Sequence, residues 1–136
     1  MLEDVKINVK IKLSLLWVTL MFFYIYADIL GFYRPGLIEQ IIAGEIEEVG
    51  IQITLVPWLG LILMTPPSVM AFLSLTLKAK ANRWANIIVG IVFLGVLIVF
   101  FLMGENPAWY IVYNIVEGVL MALIVWHAWK WPKQEG

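Results

Sequence analysis

The sequence predicts an all-α membrane protein, a four-transmembrane-helix bundle with a short amphipathic outer helix between the first and second spans. Three observations predict it. Of 136 residues, 62% are hydrophobic and 14% charged, with a mean hydropathy of +0.92. Soluble domains carry roughly 45–50% apolar and about 25% charged residues, so a water-soluble chain this short could not bury so much apolar surface. Four stretches are long and apolar enough to meet the about 20 residues that cross a hydrocarbon core. The charges are segregated along the chain in step with those stretches.

The first span runs over about 13–33. Met1 to Lys12 mixes both charge signs and no small-residue cleavage site follows, so the segment reads as retained rather than as a cleaved signal. Arg34-Pro35-Gly36 ends it, because proline disfavours helix at the residue before it. The next segment, about 36–49, is too short and too acidic to span. Leu37, Ile38, Ile41, Ile42, Ile46 and Val49 recur at helical spacing with glutamates between them, which predicts an amphipathic helix on the outer interface or over the bundle.

The second span, about 51–77, is interrupted by Pro57 and by Pro66-Pro67. Each interior proline removes a backbone donor and clashes with the preceding turn, and the freed carbonyls need partners where water is absent. Thr65 and Ser68 flank the pair. Two readings follow: a kink that fits a long span to the bilayer, or carbonyls that line a cavity. The third span, about 83–103, carries Asn86 and Gly90 four residues apart, a face that another helix can approach closely. Gly118, Ala122 and Ala128 offer similar contacts on the fourth span, about 107–129. The whole chain, 1–136, reads as one integral membrane domain.

Lysine and arginine set the expected orientation. Lys6, Lys10 and Lys12 precede the first span, Lys78, Lys80 and Arg83 join the second to the third, and Lys130 and Lys133 follow the fourth, against Arg34 alone on the other side. By the positive-inside rule both termini are cytoplasmic, as an even number of spans requires. Glu39, Glu45, Glu47, Glu48 and Glu105 then fall outside. Trp58 and Trp109 mark the outer boundary and Trp84, Trp126, Trp129 and Trp131 the inner one, with Trp17 just inside it. A prokaryotic inner membrane fits this pattern.

Several chemistries are excluded. The chain has no cysteine and one histidine, which rules out disulfides, thiolate metal sites, cysteine-relay redox chemistry and a His-cluster metal site. His127 reads as an interfacial anchor. No cofactor motif, nucleophile or metal set is present, so an enzyme acting alone is disfavoured, and no nucleic-acid partner is expected.

What remains is an intramembrane polar set. At about 1.5 Å per residue, Asp28 lies about 22 Å above Leu13, and Glu117 and Asn114 lie about 15 Å and about 10 Å below Pro107. Asp28 and Asn114 therefore meet at similar depth, with Glu117 one turn deeper. Tyr24 shares a face with Asp28; Tyr110, Tyr113, Asn114 and Glu117 form a stripe on the fourth span. Two carboxylates close together in low dielectric cannot both ionise cheaply, and only Arg34, at the outer boundary, is a nearby cation. Either the groups bond to one another between helices, or they line a pocket open to the outer side.

Four short spans, cytoplasmic ends and an acidic outer segment resemble the small bacterial DoxX-like membrane proteins. The stretch LTLKAKANRWANIIVGIV, Leu75 to Val92, also resembles a neighbouring uncharacterised family of small bacterial and archaeal four-helix membrane proteins. Some DoxX-like proteins associate with quinone-linked oxidoreductases, so the resemblance implies a quinone- or lipid-like ligand. The leading expectation is a pocket in the outer half for a small amphipathic or apolar ligand, anchored by Asp28, Asn114 and Glu117, walled by Tyr24, Tyr113, Tyr110 and Trp58 and with Arg34 at its exit, in an accessory subunit of a membrane redox complex. The alternatives are a proton-coupled transporter or channel subunit acting as a homo-oligomer, and a structural protein with no ligand.

Overall fold

A computed structural model of the chain describes residues 1–46, 51–104 and 106–132. Its architecture is all-α, with four helices long and apolar enough to cross a membrane. These are α1 (Val9–Gly31), α3 (Val56–Thr76), α4 (Ala79–Met103) and α5 (Ala108–Trp129), with the short α2 (Leu37–Ala43) between the first two spans. A 3₁₀ turn, Ile53–Leu55, leads into α3. Glu47, Glu48, Val49, Glu105 and Lys133 lie outside the described residues.

The ends follow local chemistry. The Asn8 side chain accepts from the Lys10 backbone N–H at 2.8 Å, an N-cap that satisfies one of the orphan donors of a helix start. It starts α1 four residues earlier than apolar content alone predicts, because Lys10 and Lys12 lie within its first turns. The last turn tightens, with Phe32 N–H donating to the Ile29 carbonyl at 3.2 Å and Arg34 N–H to that of Gly31 at 3.0 Å. At the other end of the bundle only Leu77 and Lys78 separate α3 from α4.

The outer amphipathic segment is shorter than its sequence pattern predicts. Glycines in the left-handed region bound α2 on both sides, Gly36 at φ 86° and Gly44 at φ 92°, a conformation that residues with a Cβ rarely adopt. After Gly44 the chain is extended, and Glu45–Ile46 pairs antiparallel with Ile51–Gln52. No residue of α2 is buried, and Ile42 is 81% exposed.

Around the bundle the order is α3, α1, α5, α4: α1 packs along both α3 and α5, and α5 along α4, while α3 and α4 touch much less. The bundle is tight in one half only. Leu13, Trp17 and Leu20 of α1, Met70 of α3, Ile87 and Phe93 of α4 and Met121, Ile124 and Ala128 of α5 form the buried core. All but Phe93, which also lines the cavity described below, lie toward the end that holds the two termini and the α3–α4 turn. Gly90 lets α4 approach α5 here, since a Cβ at this position would sit 2.8 Å from Val125 Cγ2.

That packed half also carries a closed polar network. Trp17 Nε1 donates to Asn86 Oδ1 at 2.7 Å, and the Ser74 hydroxyl donates to the same oxygen at 3.2 Å. Asn86 Nδ2 donates to Asn82 Oδ1 at 2.7 Å, and Asn82 Nδ2 to the Ser74 carbonyl at 2.7 Å. Trp17 is fully buried and ties α1 to α4. Arg83 closes the same end, its Nε and Nη2 donating to the Ala128 and Trp129 carbonyls at 3.1 and 3.2 Å.

Candidate functional site

Beyond that packed half, the four spans separate around a cavity of about 220 Å³. Each span contributes according to its register. From α1 come Tyr24 and Asp28, one helical turn apart. From α5 come Tyr110, Asn114 and Glu117, at the i, i+4, i+7 spacing that keeps residues on one face. The α3 wall is Leu63 and Met64. The α4 wall is apolar throughout: Phe93, Val96, Leu97, Phe100 and Phe101.

The polar groups are graded by depth. Glu117 is 3% exposed and Asn114 8%; they lie on the inner side of the cavity, in the middle of α5. Asp28 is exposed and lies within the last turn of α1, at the end of the bundle away from the termini. The two carboxyls thus line one cavity from opposite depths. Nδ2 of Asn114 is fully buried and has no hydrogen-bond partner among the described residues. Buried donors are nearly always paired, and an unpaired one costs about 1–3 kcal/mol.

The interruption in α3 belongs to this wall. Pro66 and Pro67 cannot donate to the Ile62 and Leu63 carbonyls four residues back, and Leu63 lines the cavity. Ser68 donates its hydroxyl to the Met64 carbonyl at 2.7 Å, the position next to the two carbonyls that the prolines leave free. Pro67 itself is buried.

Of the residues expected at a pocket, Asp28, Asn114, Glu117, Tyr24 and Tyr110 are brought together. Tyr113 and Trp58 are not part of the lining. Tyr113 turns toward α1, edge-on to Phe23 at 5.4 Å and to Trp109 at 5.8 Å. Trp58, 66% exposed, lies on the outside of α3. Arg34 stands farther out, in an open hollow of about 460 Å³ that also takes in Pro35, Asn106 and Trp109. His127 lies edge-on to Trp126 at 4.9 Å near the C-terminal end of α5, far from the cavity along the helix.

The α4 wall was not foreseen. Phe93, Leu97 and Phe101 repeat every four residues, but from Ile87 onward α4 is apolar all round, and such a stretch carries little signal of its own for which face looks inward. Among the described residues no cluster of His, Cys, Asp and Glu is arranged to hold a metal ion. The carboxyls, tyrosines and amide can hold a polar head by hydrogen bonds, and the aromatic and aliphatic walls can hold an apolar body.

A protein-family model described as a family of unknown function matches residues 3–136. No curated protein and no solved structure matches the chain.

Proposed function

The chain belongs to the DUF6326 family, a family of unknown function, and from its cavity we propose that it is a membrane-embedded binding protein for a small, largely apolar ligand with a polar head. Both termini face the cytoplasm of a prokaryotic cell in this reading, and the cavity lies in the outer half of the bilayer. The orientation rests on the basic residues. Lys6 and Lys10 share a hollow with Ala79 and Trp131, so the N-terminus, the α3–α4 turn and the C-terminal end of α5 gather at one end of the bundle.

The observation that carries the proposal is Asn114 Nδ2, a buried donor without an acceptor among the described residues, on the wall of a cavity. A ligand that supplies the acceptor removes that cost on binding. The pocket is also apolar for most of its wall with a few convergent polar groups, the usual make-up of a small-molecule site. The DoxX-like resemblance would place such a protein beside a quinone-linked oxidoreductase; the cavity chemistry supports the binding step alone.

Transport by alternating access would need the packed inner half to open, including the Trp17–Asn86–Asn82–Ser74 network, whose members are all buried. Binding from one side needs no such change. Native mass spectrometry of protein extracted gently from membranes tests the reading. The wild-type chain carries an added small-molecule mass, and a Val96→Trp variant that fills the cavity loses it. Identical spectra for the two proteins, both folded by circular dichroism, would sink the proposal.

A further inference from the structure

We infer that the site is loaded sideways from the bilayer and that its ligand is a single-chain lipid, with a compact oxygen-bearing head in the cavity and a hydrocarbon tail in the gap between α3 and α4. This deepens the proposed binding function and rests on it. The cavity is two-faced. Every polar side chain on its wall comes from α1 or α5, whereas α3 and α4 present only apolar side chains. A ligand that satisfies both faces carries its hydrogen-bonding groups at one end and hydrocarbon at the other.

The apolar face is also the side on which the bundle opens. Only Leu77 and Lys78 join α3 to α4, yet these two helices touch much less than the other neighbours around the bundle. Their side-chain hydrogen bonds lie beside the link: Ser74 to Asn86 at 3.2 Å, and Asn82 to the Ser74 and Leu77 carbonyls at 2.7 and 3.2 Å. Met64, on the cavity wall, is about 15 Å farther along α3 than Ser74 at the rise of a helix. Pro66 and Pro67 stand between the two stretches, and proline is a usual place for a helix to bend. Gly60 continues the stripe of Leu63 and Met64 by one turn, and a Cβ there would meet nothing within 4 Å. On α4 the wall runs from Phe93, 7% exposed, to Phe100 and Phe101, 44% and 38% exposed. A stripe that meets empty space on α3, and rings that are both lining and surface on α4, describe an opening between two spans.

Size supplies the tail. Sites that enclose a drug-sized ligand run to about 300–1,000 Å³. This cavity is about 220 Å³, room for a head but not for a chain as well, and one gap bounded by two helices takes one chain. The head needs an acceptor oxygen for Asn114 Nδ2, which has no partner among the described residues, and Tyr24 and Tyr110 present hydroxyls to it. Lipid tails are as apolar as the side chains of a span, so a tail gains little by moving from bilayer to gap. The hydrogen bonds of the head therefore carry the affinity, and the tail keeps the ligand in the phase from which it enters.

A monoacylglycerol with a diazirine in the middle of its chain tests this on the full chain in lipid nanodiscs. After photolysis, peptide mass spectrometry is expected to find the label that excess monoolein competes away on α3 near Gly60 and on α4 near Phe100 and Phe101. Gly60→Trp puts a ring into the gap at a position with space for its Cβ. It should weaken binding, read as competed label, about tenfold, or about 1.4 kcal/mol, with thermal unfolding unchanged. Gly60→Leu, a smaller intrusion, should fall between it and the wild type, and Val96→Trp should abolish the competed label. Competed label around Arg34 instead, or undiminished label in both Gly60 variants, overturns entry between α3 and α4 and leaves the binding function standing. No competed label, with a bound mass still present in native spectra, overturns the lipid class alone. No competed label and no bound mass overturns both.

Discussion

The indole nitrogen of Trp17 and the side-chain oxygen of Asn86 meet at 2.7 Å across the diagonal of the bundle, joining two helices that are not neighbours around its rim. Asn86 also accepts from Ser74 and donates to Asn82, so one amide serves three partners. Asn86→Leu strands all three. Hydrogen bonds between membrane helices average about 0.6 kcal/mol and reach about 1.7. The loss of this shared centre should therefore cost about 2–3 kcal/mol. Trp17→Phe, which keeps most of the ring and removes one donor, should cost about 1 kcal/mol. Denaturant titration in mixed micelles, followed by circular dichroism, checks both; equal and negligible effects would show that the network is incidental.

Gly90 sets how closely α4 approaches α5. A methyl there would lie 2.8 Å from Val125 Cγ2 and 3.6 Å from Ile124 Cγ2. Val125 is β-branched and has little rotamer freedom in a helix, so the backbones must part. Gly90→Ala is expected to destabilise by about 1–3 kcal/mol, the usual range for overpacking. Gly90→Ala combined with Val125→Ala should recover most of it, since contacting sites couple. The double-mutant cycle, measured by thermal unfolding in detergent, reads the coupling directly.

Arg83 holds the C-terminal end of α5 through two backbone carbonyls and lies against the Trp84 and Trp129 rings, its guanidinium carbon 5.4 and 5.2 Å from their centroids. A lysine keeps the charge but not the fork or the stacking. Arg83→Lys and Arg83→Gln should therefore lose similar stability, about 0.5–1 kcal/mol, a range kept low because exposed ionic contacts are screened. A full recovery by lysine would show that charge alone matters here.

Asn114→Leu is expected to change stability and binding in opposite directions. It removes an unpaired buried donor, so the ligand-free protein should gain about 1 kcal/mol. The same change should abolish the added mass in native spectra. A loss of stability on this substitution would mean that Asn114 has a structural partner.

The sequence made the lining of the cavity partly legible. Asp28, Asn114 and Glu117 are acids and amides inside apolar runs, and rise per residue places them at comparable depth, which is enough to predict that they share a space. Tyr24 and Tyr110 follow from helical spacing with them. Tyr113 did not: it lies four residues before Glu117, but a stripe about 100° wide has edges, and Phe23 takes up this one. Trp58 was assigned by depth alone, which says nothing about which side of a helix a ring occupies. The Trp17–Asn86 bond joins residues 69 apart and was invisible for a different reason. Hydropathy gives the spans and their ends but not which spans stand opposite one another.

The two-residue link between α3 and α4 has a consequence for biosynthesis. Sequence neighbours here are poor spatial neighbours: α4 finds its main partner in α5, the last span to be made, and completes α1 through Asn86. A nascent chain that has released only α1 to α3 has its first hairpin packed but leaves the Trp17 N–H and the Ser74 hydroxyl without the acceptor they share in the finished protein. Commitment to the final arrangement therefore waits on the second half of the chain. A truncation after α3 should be read by membrane quality control as unfinished, and degraded, even though half of its helical content is already in place.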